Sequence, residues 1–320
     1  MNENKKTIFI AIAAYNELYL KQTIESAQMM AEYPDRVFFG INYQSNDGCF
    51  EDISSLKNIR IRHSIVGEPS GWGIDRAIAD SFWKDEDYYL QIDAHMLFEK
   101  NWDSGLISAH SKIIESGFEK PIISTFVPWW SVGENKEILH YKPDSQDCCN
   151  VCSYVFGNPE QDWIEPKRSW NSVVCGEDVV EHNTICGHFF FTSSQWLEEV
   201  GHDWKFIFIG DEHITALRSY TRGYRMFSIG KPFLWHLNKG VSFEANDWHN
   251  NVGTSNLNRS SSRFKKDIER QRKIYTGELL GDSGAPNAEK LKEYLDFVGF
   301  NPLEFYKGMD SFNKSFEKKS

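Results

Sequence analysis

The sequence predicts a soluble α/β protein with a mostly parallel central sheet. Apolar, β-branched runs alternate with segments of helical spacing, which is the pattern of repeated βαβ units. Hydrophobic residues make up 40% and charged residues 25% of the 320 positions, as in ordinary globular proteins. The chain has no run of 18 consecutive apolar residues, so we expect no transmembrane helix and no membrane partner.

The first half of the chain contains the most regular alternation. Apolar or alternating runs predict strands over residues 7–15, 36–44, 58–66, 88–93 and 121–128. Helical spacing predicts helices over residues 18–33, 71–87 and 101–117. Pro34 stops the first of these helices, and Gly117 ends the third.

Residues 129–183 interrupt this alternation. They are rich in Trp, Cys, Asn, Asp and Pro, and we interpret them as an insertion or lid. The alternation resumes with predicted strands over residues 186–194, 205–210 and 225–237 and a helix over residues 211–223. We therefore predict one domain over residues 1–240. A loop and helical extension over residues 241–320 would follow it, since its later part has helical spacing.

The first apolar run and the cysteines indicate the compartment of the protein and a possible metal site. The apolar run near the start is only Ile8–Ala14, which indicates a strand and not a signal peptide, so we expect a cytoplasmic location. A cytoplasmic chain keeps its thiols reduced. The C-x-x-C of Cys149 and Cys152 lies near other ligand-type residues, Cys148, Cys175, His182 and Cys186. These residues suit either a zinc site or free thiols, and their spacing matches no common zinc finger.

One polar pair stands out at the end of a predicted strand. The apolar run Tyr88–Ile92 is followed at once by Asp93, and His95 comes two residues later. Ligands bind beyond the carboxyl ends of strands in open α/β sheets, where an acid and an imidazole suit Mn²⁺ or another divalent ion. A polar turn is the alternative, because D-x-H also occurs at Asp211–His213 and Asp247–His249.

Other nucleotide-binding and hydrolase motifs are missing from the sequence. It contains no Walker loop, no G-x-G-x-x-G and no G-x-S-x-G. The stretch GEPSGWGIDR (67–76) places three glycines before a helix, which is a weak phosphate signal. The net charge of −11 argues against a general nucleic-acid surface.

Several ordered motifs resemble a glycosyltransferase family. The stretches IAIAAYNELYLKQTIESA, SGWGIDRAIADSFWKDEDYYLQIDAHMLFEKNWD, ICGHFFFTSSQWLEEV, FIGDEHITALRSYTRGYRMFS and PFLWHL occur in this order. They resemble the N-acetylglucosaminyltransferase (GlcNAc) family that includes the Skp1-hydroxyproline enzyme. The resemblance covers roughly residues 7–300 apart from 129–183, and extends more distantly to the polypeptide N-acetylgalactosaminyltransferases.

The resemblance implies a GT-A fold, the Rossmann-like fold of nucleotide-diphosphosugar transferases, with residues 1–240 as its catalytic domain. Asp93 and His95 match the family's D-x-H metal ligands, and His236 matches its later histidine. Mn²⁺ or Mg²⁺ there would neutralise the charge that develops on the departing UDP. The alternative for His236 is a core histidine beside Trp235.

Further roles are implied position by position. Arg76 matches an arginine that reaches the donor, although Trp72, Gly73 and Asp75 depart from the family's helix start and put the donor sugar in doubt. Asp211 and Glu212 match the catalytic acids, with helix capping as the alternative.

The remaining candidates surround the donor. The resemblance places Gly187 and His188 beside the sugar and the end of the first strand, Ala13, Tyr15 and Asn16, at the nucleoside. Asp47 follows the second strand, where its carboxylate would accept from uracil. An Asp-Gly turn is the alternative for Asp47.

The expected activity is transfer of a sugar, GlcNAc in the leading hypothesis, from a UDP-sugar to a hydroxyl with retention. The acceptor is a protein, a glycan or a hydroxymethylated DNA base; the DNA alternative is based on the basic stretch RSSSRFKKDIERQRK (259–273) and implies a different donor sugar. A non-catalytic sugar-binding protein and a nucleotide-sugar hydrolase are the rival functions.

Overall fold

The structure is a computed structural model, which describes residues 6–67, 70–141, 148–151, 173–207, 210–238 and 262–307. Its helices are α1 (Leu20–Met30), α2 (Trp72–Asp80), α3 (Trp102–Glu115), α4 (Gln195–Glu199), α5 (Asp211–Tyr220), α6 (Ser262–Tyr275) and α7 (Ala288–Val298). The first strands are β1 (Ile8–Tyr15), β2 (Val37–Ser45), β3 (Ile59–Ile65), β4 (Tyr88–Ile92), β5 (Met96–Phe98), β6 (Pro121–Ile123) and β7 (Trp129–Val132). The later strands are β8 (Ile138–Tyr141), β9 (Cys148–Asn150), β10 (Val173–Cys175), β11 (Val179–His182), β12 (Phe189–Ser193), β13 (Arg225–Ile229) and β14 (Leu234–Leu237).

The described strands form a large mixed sheet with the order β11-β13-β6-β12-β4-β1-β2-β3. Strand β1 pairs in parallel with β2 and β4, β2 with β3, and β6 with β13. Strands β11 and β12 run antiparallel to their neighbours. The mostly parallel α/β architecture that the sequence predicts is confirmed.

A second sheet adjoins the first, with the order β5-β14-β7-β8. The chain enters it after β4 and again after β13, where Gly230 and Pro232 interrupt the predicted strand 225–237. Pro232 has no N–H for a ladder, and a Cβ on Gly230 would lie 2.2 Å from the Cys175 carbonyl carbon. The predicted strand 121–128 likewise ends at Ile123, before the chain crosses to β7.

Helices cover both faces of the large sheet. One core cluster joins alternate β1 residues such as Ile8 and Ile10 to α1 and α3, through residues such as Leu20 and Trp102. The opposite β1 residues, with Phe9, pack against α2, α4 and α5. This burial on both faces explains why β1 is continuously apolar and not alternating.

Two further predictions of secondary structure were wrong. The helix predicted over 71–87 ends at Asp80, and a turn follows in which the Glu86 carboxylate accepts from the Lys84 backbone N–H. The strand predicted over 205–210 is absent from its described part, residues 205–207. The Ile207 carbonyl accepts from the Trp72 N–H of α2 at 2.6 Å.

Helix α6 supports this 203–207 loop from the C-terminal side. Both carboxylate oxygens of Asp267 lie 3.1 Å from the Ile207 backbone nitrogen, and Arg270 donates to Asp203 at 3.0 Å. Gln271 Nε2 lies 2.9 Å from His213 Nε2 on α5. Helices α6 and α7 share a hydrophobic cluster with α5. The predicted boundary at residue 240 lies outside the described residues, so the division into domains stays a prediction.

Within the described part of the chain, no helix is long and apolar enough to cross a membrane. The thiols differ from the reduced state expected for a cytoplasmic chain, since Cys175 is disulfide-bonded. Cys49, Cys149 and Cys186 are not disulfide-bonded.

We predict that Asp103→Ala lowers the free energy of unfolding by about 3–5 kcal/mol, because it leaves the Arg36 guanidinium buried without its partner. The Asp103 carboxylate is fully buried and accepts from Arg36 and from the backbone of Glu32 and Tyr33. Urea unfolding followed by tryptophan fluorescence measures the loss. Asp35→Ala, which removes an exposed pair with Lys57, should cost less than about 0.5 kcal/mol; equal losses would contradict the prediction.

We predict that stability falls between pH 7 and pH 5 because of two buried histidines. Burial lowers the pKa of His110 and of His182 to about 4. The unfolded chain therefore binds more protons than the folded chain below pH 6.5, and each histidine costs about 2 kcal/mol at pH 5. Urea unfolding at both pH values should show a flatter pH dependence in His110→Gln and in His182→Gln. An unchanged dependence would show that these histidines do not cause the loss.

Candidate active site

An acid and two imidazoles meet where the two sheets join. Asp93 directly follows β4 of the large sheet, and His95 directly precedes β5 of the small sheet. His236 lies in β14, opposite Met96 of β5. The three residues therefore meet because the chain leaves one sheet and enters the other between residues 92 and 96.

The ligand-type atoms of this cluster all lie within 4.8 Å of one another. Nε2 of His236 lies 3.2 Å from Oδ2 of Asp93 and 3.2 Å from Nε2 of His95. The side chains of Asp93 and His236 are each 23% exposed, so a ligand can reach them from solvent. No other group of three or more such residues was found in the part of the chain that the structure describes.

Glu17 adds a buried carboxylate that the sequence reasoning missed. Its Oε2 lies 2.9 Å from Nδ1 of His95, and its Oε1 accepts from the N–H groups of Leu18 and Tyr19. Glu17 follows β1 and Asn16, which has a φ of 46°. An acid just beyond the end of a buried strand was a usable signal, since a similar position identified Asp93.

The charges around Asp93 keep its carboxylate ionised. Burial by itself raises the pKa of Asp93, but the hydrogen bond with His236 and the charges of His95, His236 and Arg76 outweigh burial. The pKa of Asp93 therefore lies well below its usual range. The cluster thus presents a carboxylate anion beside two imidazole rings, a mixed O and N donor set that suits a divalent transition metal.

A second polar group lies directly beside the cluster. Arg76 Nη1 donates to Oδ2 of Asp211 at 2.9 Å, and Nη2 donates to the Gly187 carbonyl at 2.9 Å. Arg76 Nη2 also lies 4.0 Å from Oδ1 of Asp93. Glu212 Oε1 accepts from the Gly187 N–H at 2.6 Å. The structure therefore brings Arg76, Gly187, Asp211 and Glu212 together next to Asp93.

Asp211 keeps one buried oxygen for a further donor. Its Oδ1 has no hydrogen-bond partner, although Asp211 is only 3% exposed. A buried acceptor without a donor is costly, so this atom suits a hydroxyl or a water.

The first N–H groups of α2 are not open to a phosphate, which argues against the weak phosphate signal of the glycine-rich stretch. The Trp72 N–H and the Gly73 N–H donate to the carbonyls of Ile207 and Phe206. A Cβ on Gly73 would lie 2.4 Å from the Asp203 carbonyl oxygen. The glycine is therefore needed for the close approach of the 203–207 loop.

The residues proposed for the nucleoside lie at the ends of β1 and β2. Ala13 pairs with Asn42, and the Tyr15 hydroxyl lies 3.4 Å from the Gly67 carbonyl. Asn16 Oδ1 accepts from the Asn46 N–H. Asp47 Oδ1 accepts from the Cys49 N–H at 2.9 Å and from Ser45 Oγ at 2.7 Å, a local turn that lowers its pKa.

His188 lies beside His236 and Cys186, and the described residues of the possible zinc site have other partners. The His188 ring centroid is 4.7 Å from that of His236, and its Nδ1 is 3.0 Å from Cys186 Sγ. His182 Nε2 instead bonds the Ser124 carbonyl. Cys152 lies outside the described residues. The described members of the proposed zinc set do not form a metal cluster.

The family model described as Glycosyltransferase (GlcNAc) matches residues 49–276. The chain belongs to the glycosyltransferase (GlcNAc) family. Arg76, Asp93, His95, Asp211 and His236 all fall inside the matched range. A search of curated proteins found no match.

The chain shares the GT-A fold with a solved structure. A crystal structure of GalNAc-T7 with UDP, GalNAc and Mn²⁺ superposes with a TM-score of 0.55 at 14% identity, and the match covers 99% of this chain and 59% of that one. A crystal structure of TarS from S. aureus gives a TM-score of 0.42 at 11% identity, and covers 83% of this chain and 42% of that one. The chain thus spans about three fifths of GalNAc-T7.

We predict that Gly187→Ala lowers kcat/KM for sugar transfer by about 100-fold. The added Cβ would lie 2.8 Å from Glu212 Oε1 and 3.1 Å from Arg76 Nη2, so both charged groups must move. The thermal unfolding temperature should change little, since these neighbours are the ends of side chains. Activity equal to that of the wild type would show that the site tolerates their displacement.

Proposed function

We propose that the enzyme transfers a sugar from a UDP-sugar to a hydroxyl group, with a divalent metal at Asp93, His95 and His236. The observation that carries this proposal is the convergence of these three side chains beside Arg76 and Asp211. Mn²⁺ fits the mixed donor set of one carboxylate and two imidazoles, and GalNAc-T7 was crystallised with Mn²⁺.

The charge balance of the site also favours a bound cation. The carboxylates of Asp93, Asp211 and Glu212 lie near the Arg76 guanidinium. A fourth carboxylate, that of Glu17, contacts His95 in the same cluster. Excess negative charge in a partly buried site is unfavourable unless a cation compensates it. A divalent ion held by Asp93, His95 and His236 would neutralise the charge of the donor's diphosphate.

The chain's own residues then have separate tasks. Arg76 is held by Asp211 and by the Gly187 carbonyl, so its guanidinium is oriented before any substrate arrives. Asp211 Oδ1 is the acceptor that we assign to a sugar hydroxyl. Glu212 fixes the Gly187 backbone, where the missing side chain leaves room for the ends of Glu212 and Arg76. Ala13, Tyr15, Asn16 and Asp47 are assigned to the nucleoside, and His188 to the sugar side.

UDP-GlcNAc is the proposed donor, since the family description names GlcNAc. Retention of the anomeric configuration follows the family resemblance. A protein or glycan hydroxyl is the proposed acceptor. In the basic stretch that suggested DNA, Arg270 pairs with Asp203 and Lys273 with Glu269, so part of its charge is already compensated. A cytoplasmic location stays a prediction, and the disulfide at Cys175 does not favour it.

We predict that Asp93→Asn lowers kcat/KM for UDP release from UDP-GlcNAc by about 1000-fold, because the metal loses its only carboxylate ligand. EDTA should abolish activity in the wild type, and added Mn²⁺ should restore it. Asp35→Asn is the matched control, because Asp35 is an exposed acid that pairs with Lys57.

Turnover that survives both EDTA and Asp93→Asn would overturn the metal assignment. Release of UDP at the same rate without any acceptor would instead indicate a nucleotide-sugar hydrolase. Binding of UDP-GlcNAc without turnover across protein and glycan acceptors would indicate a sugar-binding protein.

A further inference from the structure

We propose that Glu17 is a positioning residue that fixes the tautomer of His95 and so directs the His95 lone pair at the metal. This inference rests on the proposed metal at Asp93, His95 and His236. It assigns a role to a residue outside that ligand set.

The hydrogen bond between Glu17 and His95 determines which ring nitrogen carries the proton. A carboxylate oxygen only accepts, so Nδ1 of His95 must donate to Oε2 of Glu17 across their 2.9 Å contact. In the neutral ring, Nε2 then has a free lone pair. This lone pair is on the side of Asp93 and His236. Nε2 of His95 lies 3.8 Å from Oδ2 of Asp93 and 3.2 Å from Nε2 of His236.

Glu17 is itself held in place from both sides. Both Glu17 and His95 are 6% exposed, so water does not compete for their contact. Oε1 of Glu17 accepts from the N–H groups of Leu18 and Tyr19 at the turn before α1. The Glu17 carbonyl accepts from the Tyr43 hydroxyl. The carboxylate therefore has one oxygen committed to the backbone and one committed to His95.

The position of His95 is also restricted through its backbone. Its carbonyl accepts from the Leu237 N–H at 3.1 Å and from Trp130 Nε1 at 3.2 Å. The backbone is thus fixed by the small sheet, and the ring orientation is fixed by Glu17. Such outer carboxylates typically change metal affinity by about 10–100-fold when they are replaced.

The substitution Glu17→Gln changes the tautomer of His95 but keeps the size of the side chain at position 17. The single amide oxygen of the glutamine is needed by the Leu18 and Tyr19 N–H groups, so its NH₂ turns toward His95. An NH₂ only donates, which forces Nδ1 to accept and moves the proton to Nε2. The lone pair then points away from the metal, although the side chain keeps its size.

The test is a Mn²⁺ titration of the purified protein followed by thermal unfolding, since a ligand of the folded state raises the unfolding temperature. We expect Glu17→Gln to require about 10–100-fold more Mn²⁺ than the wild type for the same shift. Glu51→Gln is the matched control. Glu51 also accepts from a backbone N–H at the start of α1, that of Lys21, and no contact with His95 was found for it.

A second measurement needs no variant. Long-range ¹H–¹⁵N correlation spectra of the metal-free wild type, with His95 assigned by His95→Gln, should show the proton on Nδ1. A proton on Nε2 in the wild type, or equal Mn²⁺ midpoints in wild type and Glu17→Gln, would overturn the role of Glu17 alone. If the wild type and Asp93→Asn respond to Mn²⁺ identically, the proposed metal site itself is wrong, and the Glu17 proposal falls with it.

Discussion

The candidate site depends on how the chain passes from the large sheet to the small sheet at residues 93–95. Strand β4 ends at Ile92 in the centre of the large sheet, and β5 begins at Met96 beside β14. The His95 carbonyl bonds the backbone of Leu237 and the indole of Trp130. Because both sheets are anchored at this link, the separation between Asp93 and His236 is determined by backbone pairing and not by side-chain flexibility.

Close packing around glycines brings the charged groups of the site together. Gly187 allows Arg76 and Glu212 to approach its backbone from two sides, and Gly73 allows the 203–207 loop to approach α2. In each case a side chain would occupy the space that a charged or carbonyl group now fills. The electrostatic arrangement of the site therefore depends on the absence of two Cβ atoms as much as on the charged residues.

The C-terminal helix α6 also supports the site, from outside the two sheets. It holds the 203–207 loop through Asp267, and it contacts α5 through Gln271 and His213. That loop satisfies the first N–H groups of α2, which carries Arg76, while α5 carries Asp211 and Glu212. Both helix starts that line the site are thus supported by a segment that follows every residue of the site in the sequence.

Local pattern was sufficient for much of the fold. Strands such as β1 and β4 are buried runs of apolar residues, and their order with the helices indicates a parallel sheet without any knowledge of contacts. The pattern was misleading at residues 205–207, where apolar side chains pack under α6 while the backbone caps α2. Local periodicity reports which residues are buried, but not which partner satisfies their backbone.

The sequence by itself determined that Asp93 follows a buried strand, and the family resemblance added His95, His236, Arg76, Asp211 and Glu212 as its companions. Only the tertiary structure decided that Glu17 belongs with them, because Glu17 and His95 are separated by 78 positions and meet through the pairing of β1 with β4. The reason is physical: sequence pattern specifies the face and the end of each strand, whereas distances between strand ends follow from register and packing.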